Sequence, residues 1–335
     1  MYFDLTSFAC MRVYGPDCQK FLQSQLSNDI SLLEKTNRQS AVVLNKAQLT
    51  AYCNPKGRVI SLMKICRKND DEYFIIAPLS LINTIKKRFT IYKLRADVYL
   101  SEASEEYQIF AVIDEHGDKN FYSKFKEFGT EAFIFSDSFY NDQGEKYILI
   151  TRKQHSEKVL TTITQKLQCN KKPESFWLTF EIREGTPWFT SELTETLLPQ
   201  QINLDLIQAV SFEKGCYPGQ EIVARMHYLG KPKRRSFLLV SLNSQLEELT
   251  LTNERPISIY SKNVSDEDDI GSLITFANYA SHPKKLAFYG LGEFDLGRIA
   301  SLESNSFFIK SSKGVFELTL GNLPFQNEII KDHKH

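Results

Sequence analysis

The apolar pattern of this sequence changes at about residue 231, and this change constrains the fold more than any other feature. Up to that point, segments with helical spacing of apolar residues alternate with short apolar strands, a mixture typical of α+β structure. Beyond it, Gly, Pro and Asn separate alternating apolar strands at 236–242, 257–260, 272–276 and 285–289. Consecutive strands of this kind favour a barrel or a sandwich. We therefore predict two domains, a mixed α/β region at 1–230 and an all-β domain at 231–335.

Several segments of the first region give clear local signals. Residues 8–14 have the pattern of a strand, and Gly15-Pro16-Asp17 then begins a helix with Asp17 as its N-cap. The run Asn54-Pro55-Lys56-Gly57 predicts the turn of an antiparallel hairpin. A further helix is expected at 79–94, where three cations at 86–88 are typical of a solvated helix face.

The charge balance limits the partners that composition alone can explain. The 335 residues include 41 Lys and Arg and 41 Asp and Glu, which gives a formal net charge of zero. No bulk attraction to nucleic acid or to an anionic membrane follows, so any such binding needs a local patch. The first residues lack the basic stretch and the long apolar run of a secretory signal. We expect a cytoplasmic protein with no membrane partner.

The cysteines do not predict a metal site. The six cysteines lie far apart, with no C-x-x-C pair and no Cys/His cluster at ligand spacing. A structural zinc or a complete Cys-held iron-sulfur site within one chain is therefore not expected. The acidic run at 266–269 does not match the spacing of a calcium-binding EF-hand loop, and is typical of a solvated loop.

The most informative stretch is 214–225, K-G-C-Y-P-G-Q-E-I-V-A-R. Pro218 suits the first turn of a helix, which places Cys216 just before a helix N-terminus and close in sequence to Lys214 and Arg225. A helix dipole and neighbouring cations both favour a thiolate, so Cys216 is the cysteine whose sequence context predicts reactivity. The alternative is a small buried residue in a tight turn.

Basic residues recur from 225 to 235 and allow two interpretations. Arg225, His227, Lys231, Lys233, Arg234 and Arg235 lie in this stretch. They fit a solvated connection between domains, or else a site for phosphate or a polyanion. In the sequence, this basic stretch is the one feature that suggests direct contact with tRNA.

These residues closely resemble the signature of the YgfZ family, folate-binding relatives of the glycine-cleavage T-protein. The family's K-G-C-Y-x-G-Q-E run matches 214–221, and its N-terminal G-x-D-x-x-x-F-L-Q run is similar to 15–29. The turn at 54–58, G-T-P at 185–187 and P-Q-Q-I-N-L at 199–204 also fit the family pattern. The resemblance extends over roughly residues 4 to 240.

The resemblance implies a fold and a cofactor. The fold is of the glycine-cleavage T-protein type, with two interwoven, partly ferredoxin-like α/β units followed by a C-terminal β-barrel. The cofactor is tetrahydrofolate or a folate derivative, whose flat pterin stacks on aromatic rings. Alignment through the neighbouring motifs places the stacking positions at Phe8 and Trp177. Core packing is the alternative for both residues.

The resemblance also implies a role in assembling or repairing iron-sulfur clusters, and through cluster-dependent methylthiotransferases an effect on tRNA modification. Cys216 is then the reactive thiol, Lys214 and Arg225 favour its thiolate, and the partners are iron-sulfur proteins or their assembly machinery. Whether the chain is an enzyme is left open; if it is, a folate-dependent one-carbon transferase-like activity is expected.

Two other functions remain as alternatives. The first is aminomethyl transfer to tetrahydrofolate. Against it, Ser61-Leu62 replaces an Asp-Asp pair that T-proteins use in catalysis, and Arg183 stands where they place a folate-anchoring glutamate. Neither Ser61 nor Arg183 supplies a carboxylate base. The second alternative is an adaptor that binds folate or a protein without thiol chemistry.

Overall fold

The computed structural model describes residues 1–33, 45–115, 117–118, 121–137, 144–241, 257–261, 269–282, 285–300, 306–311 and 314–329. The chain divides into two compact units. The first consists of Met1–Tyr52, Ile60–Glu174 and Ala209–Pro218, and the second of Cys53–Val59, Ser175–Gln208 and Gly219–His335. Each unit is described by itself, and the predicted domain boundary at residue 230 stays a prediction.

The first unit is built on a nine-stranded mixed sheet. The strands, in chain order, are β1 (Tyr2–Asp4), β2 (Phe8–Tyr14), β3 (Asn45–Cys53), β4 (Val59–Asn69), β5 (Glu72–Pro78), β6 (Tyr99–Glu102), β7 (Tyr107–Asp114), β8 (Ala132–Asp137) and β9 (Glu145–Arg152). Their order across the sheet is β1-β7-β9-β8-β3-β4-β5-β2-β6. The predicted strand at 8–14 is confirmed with the same bounds. Its apolar residues are buried on both faces of the sheet, as in a central strand.

Three helices pack on this unit, namely α1 (Cys18–Gln25), α2 (Leu79–Tyr92) and α3 (Ser156–Gln165). Helix α1 begins directly after Asp17 as predicted, but the Asp17 side chain makes no capping bond. Its carboxylate accepts a hydrogen bond of 2.9 Å from the Asp97 N–H instead. Helix α2 ends two residues before the predicted bound, because Leu94 has a left-handed backbone with φ 48° that cannot continue a helix.

The second unit contains the predicted β-domain as a closed six-stranded barrel. Its strands are β10 (Arg234–Ser241), β11 (Ile257–Ser261), β12 (Gly271–His282), β13 (Lys285–Asp295), β14 (Ser306–Ser311) and β15 (Gly314–Leu320). They close in the order β10-β13-β12-β11-β14-β15. The interior is aromatic and aliphatic, with Phe288, Phe294 and Phe307 fully buried. Each buried ring contributes roughly 2–3 kcal/mol of hydrophobic stabilisation.

The second unit also contains helices α4 (Glu174–Arg183, of which Glu174 belongs to the first unit), α5 (Gln220–Leu229) and α6 (Leu296–Ala300). Ile182 of α4 packs in the barrel core. Of the described residues, none lie in a helix long and apolar enough to span a membrane.

Candidate functional site

Cys216 differs from the other cysteines in its exposure. It is the exposed one of the six, and the other five are buried. Burial raises the pKa of the Cys18 thiol to about 11 and that of Cys53 to about 12. Burial also raises the pKa of Cys169. The structure therefore presents one thiol to solvent and keeps the others protonated near neutral pH.

The loop before Cys216 is anchored by the Lys214 side chain. Its Nζ donates hydrogen bonds to the carbonyls of Gln23 at 2.7 Å, Leu26 at 2.6 Å and Asn28 at 2.9 Å. These carbonyls lie in and after the last turn of α1, where the backbone acceptors have no helical partner. Burial lowers the pKa of the Lys214 ammonium to about 8, and the nearby Asp29 carboxylate opposes this shift.

Further contacts in the first unit hold the same loop on both sides of Cys216. The Ser27 hydroxyl donates to the Ala209 carbonyl at 2.7 Å, and the Ser211 N–H donates to the Ser27 carbonyl at 2.9 Å. On the other side, Tyr217 is buried, with the Lys214 ammonium 5.4 Å from its ring centroid. Cys216 is thus an exposed residue within an anchored loop.

In the second unit, the start of α5 packs against the hairpin turn at 54–57. Gly219 has φ +81°, and a β-carbon there would lie 2.4 Å from the Asn54 carbonyl oxygen and 2.5 Å from the Gly57 Cα. Gly57 itself has φ +72°. Only glycine tolerates both this backbone conformation and this close approach. The resemblance had identified both motifs, but nothing in the sequence indicated that they touch.

The side chain of Asn54 organises that turn. Its Oδ1 accepts hydrogen bonds from the backbone N–H groups of Lys56 at 2.9 Å and Arg58 at 3.0 Å. Its Nδ2 donates to the Glu195 carboxylate at 2.7 Å. An Asn that bonds to the backbone two residues ahead is typical of a tight turn, so the predicted turn is confirmed with its cause.

The predicted position of Pro218 in the helix is wrong. Helix α5 begins at Gln220 with Gly219 as its N-cap, so Pro218 lies outside the helix. The left-handed φ of Gly219 delays the start of the helix, because α-helical φ values are negative. Cys216 consequently lies four residues before the first helical residue. The predicted effect of the helix dipole on the Cys216 thiol stays a prediction.

Helix α5 presents most of its surface to solvent. Val223 is its one buried residue, and the Val223 carbonyl accepts a hydrogen bond of 2.8 Å from the Gln200 side chain. Arg225 is exposed on this helix. The structure places Arg225 in the second unit and Cys216 in the first, and the predicted effect of Arg225 on the thiol stays a prediction.

The basic stretch at 225–235 divides into two groups. Arg235 is buried and forms a bidentate ion pair with Asp205, at 2.6 and 3.0 Å. Arg234 pairs with Glu293 at 2.7 Å. These two arginines stabilise the second unit, whereas Lys231 and Lys233 are exposed. The stretch is therefore not one continuous cationic surface, which reduces the support for tRNA contact there.

The two aromatic residues proposed for folate are buried in separate units. Phe8 begins β2 in the first unit and is 7% exposed; Trp177 lies in α4 of the second unit and is 1% exposed. Arg183, at the end of α4, is exposed, with its guanidinium 5.7 Å from the Tyr289 ring centroid. Folate stacking at Phe8 and Trp177 stays a prediction.

The described residues contain no group of three or more His, Cys, Asp or Glu side chains arranged to hold a metal ion. The acidic run noted in the sequence lies outside the described residues, except for Asp269. Asp269 accepts a hydrogen bond of 3.0 Å from the Ser258 hydroxyl.

The fold places the chain in the aminomethyltransferase T class of structures. The chain superposes on the glycine cleavage system aminomethyltransferase T of Bartonella henselae with a TM-score of 0.68, over 97% of this chain and 85% of that one. Sequence identity in this superposition is 12%, so it shows the fold alone. The predicted α+β fold with its C-terminal barrel is confirmed.

Sequence comparison gives the family, although no protein-family model matches the chain. A tRNA-modifying protein YgfZ of Colwellia psychrerythraea is 31% identical over 254 residues, which are 73% of this chain and 72% of the relative. A tRNA-modifying protein YgfZ of Aliivibrio fischeri is 28% identical over 246 residues, or 72% and 71% of the two chains. The chain belongs to the YgfZ family, as its motifs predicted.

Proposed function

We propose that this protein binds tetrahydrofolate and uses the Cys216 thiol in the assembly or repair of iron-sulfur clusters on which tRNA-modifying enzymes depend. The observation that supports this most directly is the exposure of Cys216 within an anchored loop, while the other cysteines are buried. A buried structural cysteine needs no such loop. A thiol that meets a partner must be exposed and held in position.

The chemistry of the thiol allows two forms of contact with a client protein. As a ligand, the Cys216 thiolate binds an iron atom of the client's cluster. As a nucleophile, it attacks one sulfur of a client disulfide, so that a mixed disulfide forms and the other client sulfur leaves as a thiolate. Lys214 acts as a positioning residue in both cases, because it ties the loop to the end of α1.

Folate binding is supported by the fold and by the family. The chain shares its fold with an aminomethyltransferase T. The resemblance to the YgfZ family implies that Phe8 and Trp177 stack on the pterin. Both rings are buried. Stacking on either ring therefore requires the pterin to take the place of side chains that now cover it.

Aminomethyl transfer is disfavoured by β4. Ser61 and Leu62 are both buried, and the Ser61 hydroxyl donates to the Leu62 carbonyl at 2.8 Å. No carboxylate lies anywhere on β4, from Val59 to Asn69, so this strand supplies no carboxylate to act as a general base. Incubation with an aminomethylated lipoyl carrier should yield no methylenetetrahydrofolate, and its formation would restore the transferase function.

A genetic complementation tests the proposal as a whole. In a host strain that lacks its own member of this family, the wild-type protein should restore methylthiolated nucleosides in tRNA, measured by mass spectrometry. Cys216→Ala should fail to restore them. Cys169→Ala is the matched control, because Cys169 is buried, and should behave as wild type. Full restoration by Cys216→Ala would overturn the role of the thiol and favour the adaptor.

A further inference from the structure

The C-terminal end of helix α2 exposes an unusual set of side chains. The helix packs on the first unit through Leu81, Ile82, Ile85 and Phe89. Large apolar residues nevertheless remain exposed at its end, with Ile91 61% and Leu94 84% exposed. The exposed set, called the α2 patch below, consists of Lys87, Ile91, Tyr92, Leu94, Arg95 and Tyr99.

The patch includes one ring of a stacked tyrosine pair. Tyr99 lies on strand β6 and stacks on Tyr14, with ring centroids 5.4 Å apart and an interplanar angle of 22°. The Lys93 ammonium lies 5.8 Å from the Tyr99 ring centroid and donates to the Val98 carbonyl at 2.9 Å. Lys93 therefore joins the end of α2 to Tyr99. The Arg12 guanidinium lies 5.0 Å from the Tyr14 ring centroid, so cations lie against both rings of this pair. The ring that the patch offers to a base is therefore that of Tyr92, which is 44% exposed.

The segment is strongly cationic in a chain that has no net charge. Residues 86–99 contain five cationic side chains and a single carboxylate, that of Asp97, which is hydrogen-bonded to the Tyr99 hydroxyl. Within the described part of the chain, Lys86, Lys87 and Arg95 form no ion pair. The Asp17 carboxylate also lies at this segment, since it accepts a hydrogen bond of 2.9 Å from the Asp97 N–H. Negative charge is thus present beside Tyr99, whereas the cations of the patch at Lys87 and Arg95 have no carboxylate paired with them in the described part of the chain.

From these observations we infer that the α2 patch binds RNA through an unpaired, single-stranded segment. Cations that lack acidic partners match the phosphate backbone, and exposed tyrosine rings stack on unstacked bases of any sequence. The choice of RNA rests on the proposed function, whereas the α2 patch contains none of the residues assigned to that function. The competing occupant is an anionic membrane, which the same cations and the exposed Ile91 and Leu94 would favour.

Binding of a fluorescently labelled, unmodified tRNA transcript tests the charges of the patch. The double variant Lys87→Gln/Arg95→Gln should weaken binding at least about fivefold, and should reduce the slope of log affinity against log salt by about 1.4, for two lost phosphate contacts. The matched control is Lys166→Gln/Lys171→Gln, which removes two exposed cations elsewhere in the same unit. It should bind as wild type. Equal weakening in both variants would overturn the assignment.

A second variant distinguishes binding of RNA from binding of an anionic membrane. Tyr92→Leu keeps apolar area at a position that is 44% exposed, but removes the ring that stacks on a base. It should weaken tRNA binding at least about fivefold and leave binding to phosphatidylglycerol vesicles unchanged. Vesicle binding by wild type without tRNA binding would overturn the inference, and so would the absence of both.

The outcome is distinguishable from failure of the proposed function. The patch variants should retain wild-type tetrahydrofolate binding and wild-type alkylation of Cys216, because no residue of the patch belongs to that machinery. Loss of tRNA binding with both readouts intact supports the patch. If the wild-type protein binds no tetrahydrofolate but its tRNA binding depends on the patch, the proposed function fails and the patch stands.

Discussion

Gly219 lies so close to Gly57 that a β-carbon on Gly219 would be 2.5 Å from the Gly57 Cα. The contact joins two motifs that are far apart in the sequence, the hairpin turn and the start of helix α5. Both glycines also have positive φ, +72° at Gly57 and +81° at Gly219, a backbone conformation that favours glycine. Asn54 holds the hairpin turn through hydrogen bonds to its backbone. Because Gly219 packs directly on this turn, the position at which α5 begins is set by backbone contacts.

Gly219→Ala should destabilise the protein by roughly 2–4 kcal/mol, from the unfavourable φ and the clash with the turn. The matched control is Gly215→Ala in the same motif, because a β-carbon there meets nothing within 4 Å. The control should change the free energy of unfolding by less than about 0.5 kcal/mol. Urea unfolding of the two variants measures the difference, and equal stabilities would contradict the packing described.

Lys214→Met should lower the free energy of unfolding by roughly 2–4 kcal/mol at pH 7, because it removes the donor for three carbonyls at the end of α1. Lys20→Met, at an exposed position of the same helix, is the control and should be nearly neutral.

The pH dependence gives a second test of Lys214. Burial lowers the pKa of Lys214 to about 8 in the folded protein, below its value in the unfolded chain. Between about pH 8 and pH 10 the unfolded chain therefore binds more protons at this site, and the contribution of Lys214 to stability rises with pH. The gap between wild type and Lys214→Met should widen over this range. A constant gap would argue against a buried ammonium.

Alkylation by iodoacetamide at pH 8 should label Cys216 alone in the folded protein. The buried thiols are inaccessible, and with a pKa of about 11 Cys18 is about one part in a thousand thiolate at that pH. Peptide mass spectrometry identifies the labelled residue, and denatured protein is the control in which all six should react. Resistance of Cys216 in the folded state would favour the adaptor function.

Local signals made much of the fold predictable from the sequence. The strand at 8–14 and the first residue of α2 follow from apolar spacing within a single segment. The short edge strands β1 and β6 gave no such signal, because they form by pairing with β7 and β2, which are distant in the sequence. The barrel was predictable as a class, because alternating apolar strands follow one another in this part of the sequence, and the described residues add one short helix, α6, between β13 and β14.

The site was predictable in its residues but not in their contacts. The exposure of Cys216 agrees with its sequence context. The anchoring of Lys214 to carbonyls of α1, the late start of α5 and the bond from the Asp97 N–H to Asp17 all depend on residues far apart in the chain. Proximity in sequence suggested that Lys214 acts on the thiol, whereas its three hydrogen bonds lead to the backbone near Leu26.

Calorimetric titration with tetrahydrofolate under anaerobic, reducing conditions tests most directly the claim that this protein binds folate at Trp177. Heat is a suitable readout because the variants replace tryptophans, which would change a fluorescence signal. The wild-type protein and Cys216→Ala should bind alike, and Trp177→Phe should bind at least about tenfold more weakly. Trp188→Phe is the matched control, because Trp188 is also buried but donates to Glu181 at 2.8 Å; it should bind as wild type. No binding by the wild-type protein, or equal binding by all four proteins, would contradict the account.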